Sequence, residues 1–129
     1  MTFGRFLKKL REGKHFKIRE LARLAQVDPA YVYRLEEGEK SSPSDKVLKS
    51  LIRSLKPDER QERFLRLLTE QGEVDDNLVN LVLKKEKILI EDFESAARAS
   101  FRENRPKTED QWERYLEGIK KVREEIERG

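Results

Sequence analysis

Apolar residues recur three and four positions apart along most of this chain, a spacing that places side chains on one face of an α-helix. Phe3, Phe6, Leu7 and Leu10 form the first such stripe. They predict a helix capped by Thr2 that runs to about Glu12, where Gly13 breaks it. Phe16 follows the break and is expected to pack beneath a second helix, predicted by Ile18, Leu21, Ala22 and Ala25. A third helix opens at Asp28 and Pro29, because a short acceptor at the N-cap bonds free amides and proline's fixed φ suits the first helical position. Val32 and Leu35 are its inward residues, and Gly38 closes it by letting the chain leave through a left-handed conformation.

The loop EKSSPS leads to a fourth helix. Ser42, Pro43 and Asp45 read as its capping box, with proline at the first position, and Val47, Leu48, Leu51, Ile52 and Leu55 as its core face. After the break at Lys56-Pro57-Asp58, a fifth helix is expected from Asp58 to Gln71, with Phe64, Leu67 and Leu68 as its stripe and Gly72 as its stop. It either completes the first domain or begins the second. The boundary is placed at Gly72, giving residues 1–72 and 73–129.

Residues 75–105 read as one helix with room for a kink near Lys87. Val79, Val82, Leu83, Ile90, Phe93 and Ala97 keep helical spacing. A hairpin of NLVNLVL and KILIEDF is the alternative, but charged KKEK makes a poor tight turn and FESAARASF is rich in helix formers. Pro106 is expected to end that element, and Thr108 with Gln111 forms the capping signature of a last helix. There Trp112, Tyr115, Leu116, Ile119, Val122 and Ile126 recur at intervals of three and four. This stripe needs a partner: the chain's own second-half helices, a second copy, or a different protein. The first two are compatible, since a small helix pair often shares its apolar faces across a twofold axis. The expected dimer or partner interface is Val79, Val82, Leu83, Ile90, Phe93, Trp112, Tyr115, Leu116, Ile119 and Val122. The fold class is all-α.

Composition adds limits. A chain of 129 residues buries only a modest core, and its 43% charged residues exceed its 36% apolar ones, as expected of amphipathic helices with solvated outer faces. There are no cysteines and one histidine, His15, which falls in a loop and is given no role. Neither a Cys-His pair nor a multi-His metal site can form within one chain. The carboxylates alternate with Lys and Arg as on solvated surfaces. No catalytic residue, metal or cofactor is therefore expected. No apolar stretch approaches the roughly 20 residues of a membrane span, and the expectation is a cytoplasmic protein without membrane association. Charge is unevenly divided. Residues 1–56 hold 14 Lys and Arg against 7 Asp and Glu, whereas residues 57–129 hold 15 against 19. A basic first half attracts phosphate and an acidic second half is repelled by it, which assigns any nucleic-acid contact to the first half.

The segment IRELARLAQVDPAYVYRLEEG at 18–38 joins two short helical patterns by a tight break. It resembles the helix-turn-helix of the phage repressor and Cro family, the XRE family. The likeness extends from Phe3 to Leu55, since LKKLRE upstream and SPSDKVLKSLIRSL downstream fit that family's five-helix domain. It departs at Gln26, where the turn commonly carries glycine. The resemblance implies a five-helix DNA-binding domain followed by a helical extension, with one helix across the DNA backbone and the next in a groove. It also implies an internal salt bridge between Arg11 and Glu36. With Val32 and Leu35 inward, Pro29, Ala30, Tyr33, Arg34 and Glu37 lie on the outer side. Base contacts are expected from Arg34, Ala30, Pro29 and Tyr33. Arg34 leads, because a guanidinium donates two hydrogen bonds to guanine O6 and N7. Phosphate contacts are expected from Lys17, Arg19, Tyr31, Lys40, Ser41 and Ser42. The implied function is a repressor binding a palindromic operator in double-stranded DNA as a homodimer. The alternatives are an antitoxin whose C-terminal helices neutralise a toxin, or a repressor cut by a partner metallopeptidase.

Overall fold

Short polar side chains open six of the eight helices found among the described residues, 1–40 and 42–129 of this computed structural model. Each accepts from a first-turn amide that has no carbonyl partner within the helix. Thr2, Asp28, Ser44, Asp58, Asp75 and Thr108 do this for α1 (Phe3–Gly13), α3 (Pro29–Glu36), α4 (Asp45–Leu55), α5 (Glu59–Gln71), α6 (Asp76–Lys84) and α8 (Glu109–Arg128). The other two are α2 (Ile18–Ala25), where Glu20 accepts from the amide of Lys17, and α7 (Ile90–Arg98). The fold is all-α, in two units, Met1–Glu73 and Val74–Gly129.

In the first unit the stripes of α1 to α5 converge. Phe3, Phe6, Leu7, Leu21, Val32, Leu35, Leu51, Leu55 and Phe64 are all at most 1% exposed, and the rings of Phe6 and Phe64 lie 5.5 Å apart. The fifth helix packs on α1, and a backbone bridge between Thr2 and Glu73 joins the unit's start to its end. The start of α4 differs from the sequence expectation. The cap is Ser44, which accepts from Val47 N at 3.3 Å, so Pro43 precedes the cap and Ser42 lies outside the turn. Either serine satisfies the local rule, and the later one leaves proline in the extended stretch that it also favours.

In the second unit, residues 75–105 form two helices in place of one. Lys85 is extended (φ −113°, ψ 92°), the chain turns through Glu86 and Lys87, and α7 begins at Ile90. A continuous helix of that length would span about 46 Å, longer than the roughly 30 Å of the 20-residue α8, and half its stripe would face water. The break lets both halves pack on α8. Pro106 does not terminate α7 either, since that helix ends at Arg98. The ring of Phe101 leaves the helical path to stack edge-on against Trp112 and Tyr115 at 5.9 and 5.3 Å. At the start of α8, Thr108 accepts from Gln111 N, while the Gln111 side chain accepts from the amide of Lys107 instead of the cap residue. Asp92, buried on α7, accepts from Nε and an Nη of Arg123 on α8 at 2.9 and 3.2 Å. Lys84 pairs with Glu109 at 2.9 Å and Lys85 with Glu113.

This packing corrects the expected interface. Val79, Val82, Phe93, Trp112 and Leu116 fill the unit's own core, at most 5% exposed, so a partner cannot reach them. Leu83, Ile90, Tyr115 and Ile119 are half-buried. Val122 stands open at 60%, as does Ile126 at 74%.

Candidate nucleic-acid interface

The turn between α2 and α3 requires one residue in the left-handed region, and Gln26 supplies it at φ 58°, ψ 45°. Val27 N then donates to Ala22 O at 3.0 Å, which closes the end of α2. Asp28 accepts from Ala30 N at 2.7 Å and launches α3, with Pro29 at its first position.

Three contacts set how α3 sits. Val32 and Leu35 are fully buried beneath it. Gly4 brings α1 against its far end so closely that an added Cβ would lie 1.9 Å from the carbonyl oxygen of Leu35. Arg11 donates from Nε to Glu36 Oε2 at 2.7 Å and from an Nη to Oε1 at 2.9 Å. Its other Nη donates to the carbonyl of Phe16 at 2.8 Å, so one guanidinium joins α1, the loop before α2 and the end of α3. Glu36 raises the Arg11 pKa above its ordinary value chiefly through this hydrogen bond. The pair is planar and bidentate, which fixes orientation as well as distance.

The opposite face of α3 is open. Pro29, Ala30, Tyr33 and Glu37 are exposed, Tyr33 at 51%, while Tyr31 and Arg34 are half-buried. The Arg34 guanidinium has no carboxylate partner among the described residues, so its donors are available. Lys17 and Arg19 at the start of α2, and Lys40 and Ser42 beyond α3, are also exposed. Ser41 lies outside the described residues. The open face thus carries Pro29, Ala30 and Tyr33 with two charged side chains, Arg34 and Glu37.

The helix-turn-helix domain model matches residues 2–73. The chain belongs to the helix-turn-helix domain family. Residues 2–73 are therefore a DNA-binding helix-turn-helix domain, of a kind that is generally not enzymatic. No curated protein matches the chain at a significant level. No helix among the described residues is long and apolar enough to cross a membrane, and no cluster of three or more His, Asp or Glu side chains is placed to hold a metal ion.

Gly4 was not singled out from the sequence, although the helix-turn-helix domain depends on it for the approach of α1 to α3. A glycine inside the first turn of a helix that otherwise has ordinary formers is the available signal, because such a residue costs helix stability unless something needs the space.

Proposed function

We propose that the chain is a sequence-specific transcriptional regulator of the repressor and Cro kind, which represses by binding a palindromic operator as a homodimer. The open face of α3, with Arg34 free of any carboxylate partner among the described residues and a buried ion pair at the helix end, supports this reading. Arg34 reads guanine, Pro29 and Ala30 touch thymine methyls, and Tyr33 contacts a neighbouring base. Lys17, Arg19, Tyr31, Lys40 and Ser42 hold phosphates and set register. One recognition helix with a single polar reader specifies too little sequence. Two copies on half-sites roughly 34 to 36 Å apart double it.

The exposed Val122 and Ile126 on the last turns of α8 favour association through the second unit. A second copy is the reading adopted. A toxin or another partner of the second unit would use the same surface without altering the DNA end. Selection of bound duplexes from random DNA, with the mass of the protein measured in solution, tests both parts. A two-fold symmetric consensus and a dimeric mass support the proposal. A monomeric mass and no enriched sequence refute it.

A further inference from the structure

The second unit carries 14 Asp and Glu against 12 Lys and Arg, yet one of its cavities has no carboxylate in its lining. This pocket, about 570 Å³, lies between the loop before α8 and that helix's second turn, and its walls include Asn104, Arg105, Lys107, Gln111, Arg114 and Tyr115. None of its three cations forms an ion pair with a carboxylate among the described residues. By contrast, the groove between residues 85–92 and α8 is lined by five carboxylates beside its cations, and Lys85 is paired with Glu113 and Arg123 with Asp92. Three like charges converge here on one pocket of a unit whose net charge is slightly negative, and together they attract an anion.

The walls are also held in place. The Arg105 guanidinium carbon lies 5.7 Å from the ring centre of Phe101 and 5.9 Å from that of Trp112, a cation–π contact. Those rings are fixed in turn. Trp112 is fully buried, donates from Nε1 to Asp75 at 3.3 Å, and meets Tyr115 edge-on at 5.8 Å. The backbone of Lys107 is held from both sides: its amide donates to Gln111 Oε1 and its carbonyl accepts from Asn77 Nδ2, each at 2.7 Å. Pro106 beside it is buried, and Asn104 takes a left-handed φ of 56° where the loop enters.

The geometry points to a binding site for a small phosphate monoester, held by Arg105, Lys107 and Arg114 with the Tyr115 hydroxyl as a further donor. Three cations exceed what one carboxylate neutralises and suit a group that carries close to two negative charges near neutral pH. Forked guanidinium donors match its oxygens. The site lies wholly within the unit that does not carry the helix-turn-helix, so it stands independently of the DNA-binding reading.

The test is titration of the full-length protein with inorganic phosphate and with adenosine monophosphate at constant ionic strength, followed by calorimetry and by amide chemical shifts. Saturable binding is expected, with shifts centred on residues 104–115, and Arg114→Gln or Lys107→Gln is expected to weaken it about tenfold each, as loss of one charge-assisted hydrogen bond does. Tighter binding of the nucleotide than of phosphate places the natural ligand among phosphate esters with a ring, and the reverse order places it nearer the free anion. Far-ultraviolet circular dichroism checks that each variant is folded. Shifts that never saturate, or equal binding by wild type and a Lys107→Gln/Arg114→Gln double variant, overturn the proposal. It is equally overturned if phosphate does not bind and the double variant instead loses affinity uniformly for all duplex DNA, because the cations then serve a nucleic-acid backbone.

Discussion

Removing one partner of the Arg11–Glu36 pair tests whether the placement of α3 rests on it. In Glu36→Ala the guanidinium keeps its bond to the Phe16 carbonyl but loses both carboxylate bonds, while its side chain stays about 10% exposed. Breaking a buried pair from one side typically costs about 3 to 5 kcal/mol, and the retained carbonyl bond puts this case near the lower end, at about 3 kcal/mol. Arg11→Met strands a carboxylate that is only 2% exposed, and its expected cost is about 4 kcal/mol. The double variant Arg11→Met/Glu36→Leu strands neither charge. It is expected within about 1 kcal/mol of wild type, because apolar replacement of a whole buried pair is often neutral. Urea unfolding followed by far-ultraviolet circular dichroism gives the three differences. Fluorescence of Trp112, the chain's one tryptophan, which lies buried in the second unit, reports that unit's unfolding beside the first. Additive costs in the double variant, or a Glu36→Ala cost below about 1 kcal/mol, would show that the pair does not hold α3 in place.

Gly4→Ala places a methyl 1.9 Å from the Leu35 oxygen, so α1 and α3 must part by about 1 Å. The expected loss is about 1 to 3 kcal/mol, read in the same urea assay, together with weaker DNA binding. Gln26→Gly removes a left-handed non-glycine residue from the turn. It should stabilise the first unit by about 0.5 to 1 kcal/mol, as a higher midpoint in thermal melts would show. Val122→Glu with Ile126→Glu, which adds charge at two side chains exposed in the single chain, should convert the proposed dimer to a monomer in sedimentation and remove the concentration dependence of the Trp112 unfolding midpoint.

Much of this architecture was legible in one sequence because its signals are local. Capping residues and three-four stripes depend on neighbours within a turn or two, and α1, α2, α3, α5 and α8 follow from them within a residue or so. What depends on distant partners was not legible. The apolar spacing from Val79 to Ala97 resumes in phase after charged KKEK, which allows a kink near Lys87 but does not show that the chain breaks into two helices that both pack on α8. The pairing of Asp92 with Arg123 spans 31 positions and leaves no local trace, and neither does the 1.9 Å space that makes Gly4 necessary. The interface residues were over-assigned for a related reason. An apolar stripe shows that a face is covered but not by what, and the unit's own three helices cover most of it. At the DNA end the outward residues of α3 followed from helical periodicity once Val32 and Leu35 were placed inward. That periodicity could not show that Arg34 lacks an acidic partner.

In the proposed function Arg34 reads sequence from a helix whose flanking cations only hold the backbone. The most direct measurement compares wild type, Arg34→Ala and Lys17→Ala on a selected operator and on its single-base variants at several salt concentrations. Arg34→Ala should lose about 1 to 3 kcal/mol of discrimination at one base pair of each half-site. Lys17→Ala should weaken every sequence alike and reduce the salt slope by about one per copy. Discrimination by Arg34→Ala equal to that of wild type at every position would contradict the account.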